Sequence, residues 1–253
     1  MNQKLITDIL ECIRRETGLV LARESDRARI ERYLERGGEV PQPNKPLPTE
    51  LINLVTTNET YFERERHHFD YLMNEILPEL DRRGDSSPIR ILCAPCSSGE
   101  EPYSIALRIE TSDKRFRRGI EIVGVDISAE VIDRAREGVF SARSVHAMDP
   151  AVLSRYFVPV EKGYRINPMS RSSLRFVEGN LFYPTLWNMI GDFDVIFSRN
   201  MMIYFDAEKN KELLLRFRQH LKGYLILAHA DDHRQARELF TPIRISQGML
   251  YKV

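Results

Sequence analysis

Cysteine is scarce in this chain: three residues, Cys12, Cys93 and Cys96, in 253. An odd, low count excludes a disulfide framework. Net charge is missing as well. Basic and acidic residues number 37 each, so no whole-molecule field draws the chain to nucleic acid or to an anionic membrane. No apolar run approaches the roughly 20 residues of a membrane-spanning helix, so direct membrane insertion is not expected. The opening residues, MNQKLITDILECIRRETG, space their apolar side chains as a helix does, which argues against a signal peptide and for a cytoplasmic protein. Internal repeats and low-complexity segments are absent too. What remains is ordinary for a globular protein, 42% hydrophobic and 29% charged. The length suits one large domain with an appendage, or two small ones.

The stretch that says most is 88–107, PIRILCAPCSSGEEPYSIAL. It reads as a short buried strand, a tight loop of small residues ending at Gly99, and a helix that opens with two acids. Small residues let a backbone approach a ligand, and a carboxylate at the loop–helix junction can hold a ribose hydroxyl or a cationic group. Further on, EIVGVDIS supplies a second strand ending in Asp126. A carboxylate at that tip is placed to grip a ribose diol. Neighbouring strand tips of a parallel sheet form the crevice where such folds bind nucleotide-type cofactors. Cys93-Ala-Pro-Cys96 also matches a redox spacing, but two further metal ligands at matching spacing are not evident. The plainer reading is two small side chains packed in a cofactor loop.

The pattern divides the chain. Leu5, Ile6, Ile9, Leu10 and Ile13 predict an amphipathic helix stopped by Gly18. A second helix is expected over about 25–36, capped by Ser25 or Asp26, followed by the Gly37-Gly38 break and a connector with Pro41, Pro43 and Pro46. A third covers 49–55, and a longer one about 63–82 with Phe69, Leu72, Met73, Ile76 and Leu80 on one face. Residues 1–80 thus read as a helical N-terminal domain. Residues 81–253 alternate strand and helix, with strands expected at 89–93, 120–125, 193–198 and 224–228 and helices at 101–111, 128–137 and 207–221. RYFVPV, GYRIN and LRFVEG predict a small antiparallel β-subdomain over about 155–178. TPIRISQGMLYKV reads as a closing hairpin turned at Gln247-Gly248. A parallel sheet finished by an antiparallel hairpin is common in S-adenosylmethionine-dependent methyltransferases.

Four segments in order, TTNETYFERERHHF (56–69), CAPCSSGEEPYSIAL (93–107), GVDISAEVIDRAREGVF (124–140) and FDVIFSRNMMIYFD (193–206), closely resemble the chemotaxis receptor methyltransferases, the CheR family. The resemblance spans about 50–253. It implies a Rossmann-like S-adenosylmethionine-dependent methyltransferase domain with an all-helical N-terminal domain and a small inserted antiparallel β-subdomain. It further implies methyl transfer to glutamate side chains on the cytoplasmic helical region of chemoreceptors, giving glutamate methyl esters and S-adenosylhomocysteine.

The resemblance carries roles to particular residues. Asn58, Thr60 and Arg64 match the motif whose members contact cofactor or acceptor. Tyr204 matches the tyrosine near the transferred methyl, so Arg64 and Tyr204 are the expected catalytic pair. Asp126 is the expected ribose ligand. One of Glu100 and Glu101 is expected to face the cofactor. Asn180-Leu181 matches a pair beside the adenine, and Arg199-Asn200 a pair at the fourth strand's tip, with backbone and amide groups meeting the cofactor. His67 and His68 point about 100° apart on a helix, so they read as packing and surface residues rather than joint metal ligands. Trp187 reads as packing. The departures are Pro95 in the loop and Ala228-His229-Ala230-Asp231 where the family has a Gly-His-Ser-Glu type sequence.

Arg29, Arg32 and Arg36 share a helical face, which is expected to meet an acidic stripe on a receptor helix. The short turn in PVEKGYRI (159–166) resembles members that do not bind a receptor's C-terminal pentapeptide. The rival readings are a catalytically silent S-adenosylmethionine-binding regulatory module, a methyltransferase of another substrate class, and a thiol oxidoreductase. The lack of a basic–aromatic strip weighs against RNA.

Overall fold

The structure is a computed structural model, and it describes residues 3–42, 45–83, 86–231 and 233–253. Apolar residues at helical spacing give α1 (Gln3–Thr17), α2 (Glu24–Glu35) and α3 (Thr49–Val55) a core of their own, where Ile6, Ile9 and Ile13 meet Ile30, Tyr33, Leu51 and Val55. Gly18 ends α1 at φ +79°, and a side chain there would strike Phe182 at 2.8 Å. The cap of α2 is Arg23, not Ser25 or Asp26. Asp26 sits in the first turn and accepts the Arg23 backbone N–H at 3.1 Å. Pro43 of the connector lies outside the described residues.

The expected helix over 63–82 starts only at α4 (Arg66–Tyr71), widens into a π turn (Leu72–Ile76) and resumes as α5 (Leu77–Arg82). Pro78 accounts for the widening, because it has no N–H to return to the Asn74 carbonyl. The five residues spaced to one face do share it, but they pack on the sheet with Ile91, Val195 and Tyr224, not on α1–α3.

From residue 89 the order is β1 (Ile89–Cys93), α6 (Glu100–Thr111), β2 (Ile120–Asp126), α7 (Ala129–Glu137), β3 (Val139–Phe140), α8 (Pro150–Tyr156), β4 (Phe157–Val160), β5 (Gly163–Ile166), β6 (Ser173–Glu178), α9 (Pro184–Ile190), β7 (Phe193–Ser198), α10 (Ala207–His220), β8 (Leu221–Leu227), α11 (Arg234–Leu239), β9 (Thr241–Ile245) and β10 (Gly248–Lys252). The main sheet runs β6-β2-β1-β7-β8-β10-β9, parallel except for β10, which pairs antiparallel with both of its neighbours. Alternation decides its two faces. Ile91, Ile122, Val195 and Ile226 meet α4–α5 and α6, while Leu92, Val123, Ile196 and Leu225 meet α9 and α10. Strand order reverses between β1 and β7, so the crevice opens at their carboxyl ends.

The small antiparallel sheet is present but is built differently from expectation. Its order is β3-β5-β4, and LRFVEG belongs to β6, parallel to β2 from Glu121↔Ser173 to Asp126↔Glu178. In the parallel position Leu174 and Phe176 reach one core and Val177 the other, so both faces of the strand are used. The small sheet instead recruits Val139–Phe140, a strand too short to carry a period.

Candidate functional site

Four loops leave the carboxyl ends of β1, β2, β6 and β7 and converge on one cavity of about 310 Å³, within the range of small-molecule sites. The fifth wall is the stretch Asn58–Arg64, and the sixth is the α1–α2 linker from Leu19 to Arg23. Asn58, Thr60, Arg64, Glu101, Asp126, Asn180, Leu181, Arg199, Asn200 and Tyr204 all line it. Glu100 does not. Its carboxylate accepts from Ser98 Oγ at 2.8 Å, and burial raises its pKa. Of the two acids, Glu101 is the one that faces the cavity.

Among the described residues four non-glycine residues have positive φ: Glu63 (63°), Glu65 (52°), Ser97 (47°) and Asn200 (58°). Ser97 and Asn200 line the cavity and the two glutamates flank Arg64. Each costs on the order of 1 kcal/mol, and such residues gather where surrounding structure fixes a working geometry.

The strain around Arg64 has a visible result. Glu63 is claimed by Arg108, with Nε to Oε1 at 2.9 Å, and by Arg66 at 3.1 Å. Glu65 is claimed by the buried guanidinium of Arg199 at 3.1 Å. Arg64 itself donates to the Glu59 carbonyl at 2.9 Å, lies over the Tyr61 ring, and has no carboxylate partner among the described residues. A half-buried cation is thus left facing the cavity. Phe62 anchors the loop from below, edge-on to Phe140 and Phe157 at centroid distances of 4.8 and 5.4 Å.

Arg199 also donates to Glu101 Oε2 at 2.6 Å and to the Arg64 carbonyl, so one guanidinium ties β7 to α6 and to the Arg64 loop. Burial works to lower its pKa, but Glu101 and Glu65 outweigh burial and raise it. Glu101 Oε1 is buried with no nitrogen or oxygen donor among the described residues, and burial pushes its carboxyl up against the pull of Arg199 and the Cys93 thiol. Asp126 accepts backbone N–H groups from Ser97 at 2.9 Å and Ser128 at 3.0 Å. It still has lone pairs for two hydroxyls, and burial raises its pKa while those donors oppose. Gly124 is required beneath it, since a side chain there would meet Phe176 at 2.7 Å.

Asn180 departs from expectation in one respect. Its amide donates to the Glu16 carbonyl at 2.6 Å and accepts from Phe182 N at 2.9 Å, so that side chain joins α1 to the cavity wall. Cys93 and Cys96 are buried, and burial raises both thiols well above their usual range, opposite to what a reactive thiol needs. His68 is buried and His67 half-buried, with rings 4.1 Å apart. Trp187 is core, donating to the Leu181 carbonyl at 2.8 Å. The contributions of Glu65 and of the Leu19–Arg23 wall were not foreseen. The acid-dense ERER run was the available signal for the first; the second depends on a long-range contact.

These residues fit S-adenosylmethionine. Glu101 Oε1 is an orphaned acceptor for the cofactor's ammonium group, and Asp126 suits its ribose. Apolar walls from Val125, Ile127, Leu181 and Phe182 suit a base. A parallel sheet closed by an antiparallel hairpin, with that cavity at its switch point, defines a Rossmann-like S-adenosylmethionine-dependent methyltransferase. The comparisons give the family. The model for "CheR methyltransferase, SAM binding domain" matches residues 58–249, and the chain belongs to that family. It is 31% identical to Chemotaxis protein methyltransferase Cher2 of Pseudomonas putida over 83% of this chain and 79% of that protein. It is 37% identical to Chemotaxis protein methyltransferase 2 of Vibrio cholerae over 79% and 71% respectively. It is 34% identical to the chemotaxis protein methyltransferase of Borreliella burgdorferi over 75% and 70%.

Proposed function

We propose that this methyltransferase esterifies glutamate side chains on the cytoplasmic helical region of chemoreceptors, and that it works in the cytoplasm. The observation that carries the reading is that Arg64, which has no carboxylate partner among the described residues, lines the same cavity as Tyr204, Glu101 and Asp126. When bound, S-adenosylmethionine supplies an electrophilic methyl group on a sulfonium. A glutamate acceptor, with a reference pKa of about 4.3, arrives ionised at neutral pH, so no general base is needed. The protein's task is to orient that carboxylate and strip it of water. Arg64 attracts it and donates N–H groups to it, and the Tyr204 hydroxyl donates to one oxygen, leaving another free to react. Asn58, Thr60, Leu181 and Asn200 complete the cofactor's surround.

Receptor recognition falls to α2. Arg29, Arg32 and Arg36 line a second hollow with Tyr33 and Leu54, and Arg29 lines the cofactor cavity as well. None of the three has a carboxylate partner among the described residues, which favours an acidic helix over a self-satisfied surface. We further propose independence from a C-terminal receptor pentapeptide. The β4–β5 turn is only two residues long between Val160 and Gly163, and edge strand β4 contains Pro159, which has no N–H to offer an added strand. Calorimetric affinity in the micromolar range for such a peptide would contradict this.

The deciding experiment is transfer of radiolabelled methyl from S-adenosylmethionine to a cytoplasmic receptor fragment. A label released by mild alkali marks a carboxyl ester. Cofactor binding without any transfer would favour the silent regulatory module.

A further inference from the structure

The tail of β8, Ala228-His229-Ala230-Asp231, is where the sequence departs from the family pattern, and the methyl-transfer reading leaves Asp231 unused. Asp231 is 5% exposed. One carboxylate oxygen accepts the backbone N–H groups of Asn200 and Ala228, each at 2.9 Å, and the other accepts that of Met202 at 3.1 Å. Three backbone donors on one buried carboxylate make a charge-assisted clamp, stronger than neutral hydrogen bonds. The clamped backbone is irregular. Asn200 is left-handed at φ 58°, and Met202–Tyr204 is a single 3-10 turn. Asn210 steadies the same turn from outside, donating to the Met202 carbonyl at 3.1 Å. That turn ends on Tyr204, whose carbonyl also accepts the Val20 N–H at 2.9 Å from the opposite wall.

We propose that Asp231 is a positioning residue for methyl transfer: it fixes the Asn200–Met202 backbone so that the Tyr204 phenol is held at the cavity. The inference rests on Tyr204 acting on the acceptor, and it deepens that reading. Asp231 itself does not line the cavity, so it acts through the turn.

The test uses the full chain with Asp231→Asn, Tyr204→Phe and the double variant. Backbone amide exchange followed by NMR reads the clamp without any turnover. Faster exchange at Asn200 and Met202, with β7 still protected, is expected. In receptor-fragment methylation, Asp231→Asn is expected to lower kcat at least about tenfold, because small misplacements near the reacting atoms are costly. Affinity for S-adenosylhomocysteine is expected to fall by less than kcat does. The double variant is expected to be no slower than the slower single one, since both changes remove one function. Unchanged exchange at Asn200 and Met202, or losses that multiply, would overturn the proposal. Wild-type kcat in Tyr204→Phe, where Asp231 is intact, would instead remove the tyrosine reading itself. Asp231→Glu, which keeps the charge and shifts it by one methylene, is the second variant should Asp231→Asn not fold. It is expected to give the same pattern at smaller amplitude, and unaltered exchange there counts equally against the clamp.

Discussion

Arg64 is useful because its neighbours are occupied. In the run Glu63-Arg64-Glu65-Arg66, Glu63 and Glu65 both have positive φ; Glu63 is taken by Arg108 and Arg66, and Glu65 by Arg199, which leaves Arg64 without either carboxylate. Substituting Arg64→Ala is therefore expected to reduce kcat roughly 100-fold, the usual scale for removing one aligned donor, while the fold persists. Steady-state kinetics with a receptor fragment check this. His68 tests the burial argument by pH. Burial and nearby Arg199 lower its pKa from the usual 6.5 to about 2, so it is neutral in the native state although Glu65 lies 3.5 Å away. Below pH 6.5 the unfolded chain takes up a proton that the native chain refuses. Stability therefore falls as pH drops from 6.5 toward 2, by about 2 kcal/mol from this group between pH 7 and pH 5. The stability gap between wild type and His68→Gln in urea titrations is expected to narrow by that amount. Strand-tip position pointed to Asp126 and the Glu100–Glu101 pair, and the family resemblance to Asn58, Thr60, Arg64, Asn180, Leu181, Arg199, Asn200 and Tyr204, which line the same cavity. Neither separated Glu100 from Glu101, because adjacent helical residues differ in direction only once the helix is docked.

Elements with a clear period and enough length were legible, and those without were not. β1, β7 and α3 fall on their expected bounds because alternation or helical spacing fills the whole segment. The π turn was hidden because a proline four residues before the end of an amphipathic run marks a disturbance without saying which kind. β6 was assigned to the wrong sheet because its half-buried pattern suits either an antiparallel unit or a parallel edge, and only the pairing with β2 decides. The Asn58–Arg64 stretch shows why loops here count as structure. Phe62 is fully buried among Phe140, Phe157, Val145 and Ile166. Phe62→Ala is expected to cost about 3–5 kcal/mol, the range for emptying an aromatic core site. It is also expected to release the Arg64 loop, so that thermal stability and methylation rate drop together.

At the scale of the molecule, the N-terminal helices are a wall of the site, not a separate attachment. Leu19 bridges Phe205, Arg14 pairs with Asp206 at 2.6 Å, and Tyr183 donates to Glu16 at 2.6 Å. Arg29 and Arg32 lie on α2, Arg36 is its C-terminal cap, and α2 follows directly from that wall, so a receptor helix docked as proposed would be carried toward Arg64. Replacing all three arginines with glutamate is expected to raise the receptor KM at least about tenfold at low salt, with the difference fading as ionic strength rises. Unaltered methylation would remove that docking face. No helix among the described residues is long and apolar enough to cross a membrane.

The account as a whole depends on the donor lying across the carboxyl ends of β1 and β2, held by Asp126. Calorimetric titration with S-adenosylhomocysteine tests this most directly, comparing wild type with Asp126→Ala and with the exposed control Asp133→Ala. Wild type and the control are predicted to bind alike and Asp126→Ala to lose binding. Equal binding by all three proteins would contradict the account.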